Sequence, residues 1–397
     1  MTPEWKSAFL HATKLADSLN LEMAIAGSPG WSETGGPWVK PEDGMKKFVW
    51  TEVRLKEGQS NIKLEKQAGI TGPFQNIGKL PGFGEPVDAS KLPILYKDVA
   101  VVAFRLPVKD RSLKELKAVI TSSGGKFNLE QLTDGDLNTS VLLPRDSVAG
   151  FAWIQFAFPQ AQTIKAISMV GGGYAGIFGI GADPKDSRSL EASDDGNHFK
   201  FVCLIPGGGV LQQTINVPVT TAKYFRIAMK NPPPQVNGFA ALTGNAGAPV
   251  TPPGTRIAEI VLHPLTRIQM FEEAAFAPDA TLFSKITPAS SDIVEAKDIV
   301  DLTSKLTSDG TLTWKVPPGD WKVIRFGYSL MGITNHPASL LNGLHIILKP
   351  DQRCELTQHA RSLTTGLVRN SKCGNRLEGC DLIHARLVRE IFTSRLA

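Results

Sequence analysis

Apolar residues recur at helical spacing at the start of the chain: Trp5, Phe9, Ala12, Ala16 and Leu19. That spacing predicts an amphipathic helix with these five side chains as its buried stripe. Thr2 suits the N-cap, Pro3 the first helical position and Glu4 the positive end of the dipole, so the helix is expected over 2–20. A short apolar run from Leu21 to Ala26 reads as a buried strand that stops at Gly27. The pattern then breaks into a loop of glycines and prolines that carries Trp31, Glu33 and Trp38. Helix, strand and functional loop make one unit of a parallel α/β fold, in which sites lie at strand C-terminal ends. One such unit cannot close a sheet.

Further on, the period changes from helical to alternating. A short helix is expected over 41–50, and Phe48 to Leu55 alternates as a strand. The stretch 59–107 is rich in Gly and Pro and holds one strand within Leu92 to Leu106. From 117 to 266 short runs recur between turns, at 152–158, 163–170, 189–192, 199–204, 213–217, 223–228 and 256–263. Such spacing predicts an antiparallel β-sandwich. Residues 285–335 return to β signals: Asp292 to Leu302 leads into the turn Asp309-Gly310, and Thr311 to Val316 and Trp321 to Leu330 around Pro317-Pro318-Gly319-Asp320 read as a hairpin. That hairpin is expected to pair with the β region before residue 117, which makes the sandwich an insertion.

Composition adds little to this picture. With 397 residues, 42% hydrophobic and 20% charged, the chain has room for two or three ordinary globular domains. A net charge of +5 without a basic, aromatic-interleaved patch points away from nucleic acid. No apolar run reaches the roughly 18 residues of a membrane span, and the N-terminus shows no signal-peptide pattern. Cys203 stands alone, while Cys354, Cys373 and Cys380 crowd the end without metal-type spacing. Charge is uneven: residues 340–397 hold nine Lys/Arg against five Asp/Glu.

The loop also carries a likeness. Met1 to Trp5, Ala24 to Glu42, Met45 to Glu52, Leu312 to Trp321 and Asn335-His336-Pro337 resemble, in that order, glycoside hydrolase family 106, the α-L-rhamnosidases. The resemblance covers roughly 1–339. Within the insertion, Leu132 to Asp136, Trp153 to Phe156, Leu190 to Gly196, Lys223 to Ile227 and Ile257 to Ile260 are similar to galactose-binding-like (discoidin-type) modules. Together these imply an α+β multidomain fold, a partial (β/α) TIM-type barrel segment with inserted antiparallel β-sandwich domains. The divisions expected are a barrel segment at 1–55, a β-rich domain in two halves at 56–116 and 267–339, the sandwich at 117–266, and an aberrant tail at 340–397. The composition shift at about 340 is the pattern a reading-frame error would leave.

What the resemblance implies for chemistry is an inverting glycosidase acting on terminal α-L-rhamnosyl linkages outside the cytoplasm, with two glutamates and a calcium in the complete barrel. Inversion needs two carboxyl groups about 6.5–9.5 Å apart, one protonated and one ionised. By position, Glu378 stands where the family's acid lies, with Leu377 in place of the tryptophan that precedes it; the other reading is a solvated glutamate. Trp31, Glu33 and Trp38 suit sugar binding, by ring stacking and hydroxyl hydrogen bonds, or alternatively loop packing. With no confident acid pair, this chain alone is expected to be inactive. Asp134, Asp136 and Thr139 on one tight loop, with Glu259 from the last strand, offer hard oxygen ligands for a structural calcium. An ordinary Asp-Gly-Asp turn is the other reading of that loop. Asp194-Asp195-Gly196 reads as a hairpin turn. The rival function is a non-catalytic carbohydrate-binding β-sandwich protein.

Overall fold

In a computed structural model of the chain, the described residues are 2–23, 35–36, 39–66, 75, 94–137, 139–171, 187–206, 212–234, 248–272, 290–292, 294–330 and 344–345. Among them the chain is mostly β, with one α-helix of more than a single turn, α1 (Pro3–Ser18).

The helix begins as its sequence dictates. Thr2 is the N-cap, and its hydroxyl accepts the Trp5 backbone N–H at 3.3 Å. Its apolar stripe is not buried, contrary to the pattern's prediction: no residue of α1 is buried, and Trp5 and Leu19 are 50% and 59% exposed. Trp5 instead stacks on Phe9, with ring centroids 5.3 Å apart. An amphipathic stripe predicts a partner surface, and none covers it among the described residues. Leu21 to Met23 have no regular structure, and Ala24 to Thr34 lie outside the described residues.

Two β units make up the rest. The first is a four-stranded antiparallel sheet in the order β12–β4–β14–β2, built from β2 (Lys46–Lys56), β4 (Tyr96–Arg105), β12 (Val300–Asp301) and β14 (Asp320–Leu330). The strand expected to belong with a barrel segment is thus committed to this sheet, so these elements show no barrel segment. The helix expected over 41–50 is also absent: Pro41 to Asp43 form a turn, and β2 starts at Lys46. The hairpin expected around Pro317 does not form. Instead β13 (Thr311–Leu312) pairs with β3 (Ile62–Lys63), and β14 pairs with β2 and β4. Alternation sets both faces of the sheet. Trp50, Val102, Phe104, Ile324 and Phe326 pack on one side, while Val101, Ala103 and Val323 pack with Leu302, Leu312 and Val316 on the other.

The second unit has seven strands: β5 (Val119–Ser122), β6 (Val141–Pro144), β7 (Phe151–Gly171), β8 (Arg188–Ser193), β9 (Lys200–Leu204), β10 (Gln212–Lys230) and β11 (Gly254–His263). Runs that read as separate strands, 152–158 with 163–170 and 213–217 with 223–228, are each one long strand. Both long strands shift register midway, between Asn216/Thr220 and Ala222/Tyr224 of β10 against β7. The first half of β7 pairs with β5 and the second with β11, so the sheet folds on itself at the irregularity. One core receives side chains from both halves, among them Phe156, Phe158, Ile167, Met169, Phe225, Ile257 and Ile260.

This sandwich unit lies in sequence between β4 and β12, whose pairing brings Val300 to Ala103. It meets the four-stranded sheet through Val170, Ala258 and Phe271, which join the Trp50–Phe326 cluster. A short strand beyond Ser339, β15 (Leu344–His345), pairs with β1 (Gly35–Gly36).

Candidate functional site

Trp31, Glu33, Trp38 and Glu378, the sugar-binding and catalytic expectations, lie outside the described residues. Asp134, Asp136, Thr139 and Glu259 are described.

Their loop is built locally. Asn128 and Gln131 cap each other through side chain and backbone (2.8 and 3.1 Å), opening a 3₁₀ turn at Glu130–Leu132 whose Leu132 is fully buried. Asp134 Oδ1 then accepts the Asp136 N–H at 2.8 Å around Gly135, which sits at φ +79°. That is an Asx turn. The Thr139 hydroxyl donates to the Asp136 carbonyl at 3.4 Å. Glu259 reaches in from β11, its Oε1 accepting the Gly135 N–H at 2.5 Å. Burial, and then the negative charges of Asp134 and Asp136, push the Glu259 carboxyl up to about 7, against the pull of that hydrogen bond. The donors are hard oxygens, yet among the described residues no three His, Cys, Asp or Glu side chains gather as a metal would need. Asp194-Asp195-Gly196 is a turn between β8 and β9, where Asp195 Oδ1 accepts the Asn197 and His198 N–H groups at 2.8 Å each.

Glu259 belongs to a larger arrangement that sequence reading missed. β11 slips by one residue against β7 between Ile257 and Glu259. This bulge resets parity: Ile257, Ile260 and Leu262 face the sandwich core, and Glu259, Val261 and His263 face outward. The outward row joins Ser168, Val170 and Thr214 from β7 and β10 to line a cleft of about 570 Å³. Trp50, Glu52 and Lys322 of the four-stranded sheet form the opposite wall, with Arg267 and Phe271 beside them.

Polar groups in the cleft are chained. Ser168 Oγ lies 2.8 Å from His263 Nε2 and 2.6 Å from Thr214 Oγ1, and Thr214 in turn donates to the fully buried Glu272. Burial and the nearby Arg267 charge hold His263 well below its ordinary pKa, so its imidazole is neutral. Lys322 Nζ meets Glu52 Oε2 at 2.9 Å, and burial lowers the ammonium to about 8. Arg267 Nη2 donates to Asp110 Oδ1 at 2.8 Å. Burial opposes the Asp110 charge, but Arg267 and Lys322 outweigh it and keep the carboxyl below its usual range. The available sequence signal was the pair Glu259 and His263 on one face of β11, which needs the bulge to be read.

The described chain is thus β-rich, with a polar, aromatic-walled cleft beside a folded-over sandwich. Residues 1–347 match the Glyco_hydro_106 family, described as alpha-L-rhamnosidase, and the chain belongs to that family. The match continues past Ser339, where the resemblance was expected to stop. The structure of a rhamnosidase from Novosphingobium sp. PP1Y is similar at a TM-score of 0.65 and 30% identity, over 91% of this chain and 31% of that one. A protein of Formosa agariphila, provisionally described as a beta-glucuronidase, is 28% identical over 116 residues, 29% of this chain and 8% of its own length. The chain therefore spans under a third of each of these relatives.

Proposed function

We propose that this chain is part of an inverting α-L-rhamnosidase that releases terminal rhamnose from rhamnose-containing glycans outside the cytoplasm. The observation that carries this reading is the family match over 1–347. The two β units would then be modules inserted into a (β/α) barrel. The exposed stripe of α1 supports that placement, because a barrel helix needs its apolar face covered. The sandwich would be a galactose-binding-like module. Trp31, Glu33 and Trp38 would contact sugar, and Glu378 would hold the position of the family's acid.

Hydrolysis with inversion needs one carboxylic acid to protonate the leaving oxygen and a second, ionised carboxylate to activate water from the opposite face. None of the described carboxyls is assigned to either role, so the chain alone is proposed to be inactive. Incubating it with a nitrophenyl α-L-rhamnoside tests this: no nitrophenol should appear above the spontaneous rate. Steady, saturable release would overturn the inactivity. Absence of release from a longer protein carrying the flanking segments would overturn the rhamnosidase reading.

For the Asp134–Glu259 loop we propose a structural calcium. Support comes from the donor chemistry, three carboxylates and a hydroxyl, and from their mutual repulsion when no cation is present. The spread of the side chains argues the other way, so binding would have to draw Asp136 inward. A second calcium would belong to barrel segments outside the described residues. Among the described residues no helix is long and apolar enough to cross a membrane.

A further inference from the structure

The cleft between the sandwich and the four-stranded sheet has no part in the hydrolysis proposed above, although Asp134 and Glu259 of the proposed calcium loop lie at its edge. Its volume, about 570 Å³, falls within the roughly 300–1,000 Å³ of small-molecule sites. Four observations define what would fit it.

First, its cations are matched. Lys322 is held by Glu52 at 2.9 Å, and Arg267 by Asp110 at 2.8 Å. Balanced pairs leave little net field for an anion, but they present donors and acceptors side by side. Second, Arg267 is only 8% exposed, and its Nη1, fully buried, has no hydrogen-bond partner. A buried guanidinium donor left unmatched is costly, so a movement of the guanidinium toward an oxygen acceptor in the cleft is favoured. Third, Thr214 gives its proton to Glu272, so Ser168 donates to Thr214 and neutral His263 donates through Nε2 to Ser168, which leaves a lone pair on each hydroxyl oxygen as an acceptor. A sugar hydroxyl can donate to such acceptors. Fourth, Trp50 and Phe271 meet at 6.1 Å with planes 55° apart, giving the wall an apolar corner.

We propose that this cleft binds a neutral, polyhydroxylated ligand, a single pyranose unit. Its hydroxyls engage Arg267 and the Ser168–Thr214–His263 ladder, and its carbon-bound face lies toward Trp50 and Phe271. The proposal rests on the described lining of the cleft and does not depend on hydrolysis.

Calorimetric titration of the full chain tests it, with L-rhamnose, D-galactose and sodium D-galacturonate as probes. Two variants accompany the wild type. V261F fills the cleft from the outward face of β11. R267K keeps the charge beside Asp110 and removes the unmatched guanidinium donor. We expect a neutral sugar to bind, with its Kd weakened about tenfold or more in V261F and severalfold in R267K. Thermal melts establish that each variant is folded; if V261F does not melt cooperatively, R267K decides. Binding unchanged in both folded cleft variants overturns the proposal. So does tighter binding of galacturonate than of either neutral sugar, or no binding of any probe by a cooperatively folded chain. Because hydrolysis is not read, failure here is distinguishable from failure of the rhamnosidase reading.

Discussion

Arg325 holds Asp98 in a two-pronged ion pair, Nε to Oδ1 at 2.7 Å and Nη2 to Oδ2 at 2.8 Å, across 227 residues of chain. The third guanidinium arm donates to the Leu64 carbonyl at 2.6 Å. The pair ties β14 to β4, so it joins segments from either side of the intervening sandwich. Arg325 is buried, while the Asp98 side chain is 38% exposed and partly screened. Asp98→Asn should cost about 1–2 kcal/mol and Arg325→Met somewhat more, since it also strands the Leu64 carbonyl. Urea unfolding followed by fluorescence measures both. Midpoints unchanged from wild type would mean that the clasp contributes nothing net.

Gly171 closes β7 opposite the bulge that turns Glu259 toward the cleft. Its φ is +105°, and an added Cβ would stand 2.6 Å from the Arg256 carbonyl oxygen. Both backbone conformation and space therefore require glycine. Gly171→Ala should destabilise by about 2–3 kcal/mol or more and disturb the parity of Glu259, Val261 and His263. A lowered melting temperature, with amide shifts concentrated at 256–263, is the expected result. A wild-type melting curve would show that the strand relaxes around the methyl group.

His263 gives the stability a pH dependence of known sign. Around it stand Ser168, Arg267, Lys322 and Asp110; burial and the two cations depress its pKa well below 6.5. In acid the unfolded chain takes up this proton first, so the contribution is complete above about pH 6.5 and is lost as pH falls through that value. Glu259 acts oppositely in the same range, because its raised carboxyl holds a proton in the folded state down from about pH 7. The comparison of wild type with His263→Gln separates them. Between pH 7 and 5 the wild type should lose more stability than the variant, by guanidinium titration at each pH. Parallel curves would place the imidazole outside the buried network.

Local chemistry made much of the fold legible in the chain. Thr2 and Pro3 announced the start of α1, Asp134-Gly135-Asp136 announced a turn, and alternation located most strands. Alternation could not show that Ala152–Phe158 and Thr163–Val170 form one strand, because the bend of β7 is set by pairing with β10. The buried stripe predicted for α1 failed because burial depends on a partner, which an amphipathic pattern implies but does not supply. The cleft was least legible. Glu52, Ser168, Thr214, His263, Arg267 and Lys322 come from five separated segments and meet only when the sandwich docks on the four-stranded sheet. The one local hint, Glu259 and His263 four apart in β11, depends on the bulge for the face on which it falls.

Calcium binding at the Asp134 loop would couple that loop to β11. Without a cation, Asp134 and Asp136 repel Glu259, and burial keeps Glu259 protonated up to about pH 7. At pH 8 the folded state must therefore carry a buried carboxylate beside two others, which costs stability. A hard divalent cation would relieve this by replacing repulsion with coordination. Because it would bind only the folded chain, an excess of about 100-fold over Kd adds about 2.7 kcal/mol. At pH 8, calcium should raise the melting temperature by several degrees, EGTA should return it, and magnesium at equal concentration should do less. Glu259→Gln keeps an oxygen for the Gly135 N–H but removes the charge, so it should be more stable than wild type in EGTA and insensitive to calcium. Identical wild-type melting curves in calcium and EGTA would leave the loop as an Asx turn closed by Glu259 without a metal.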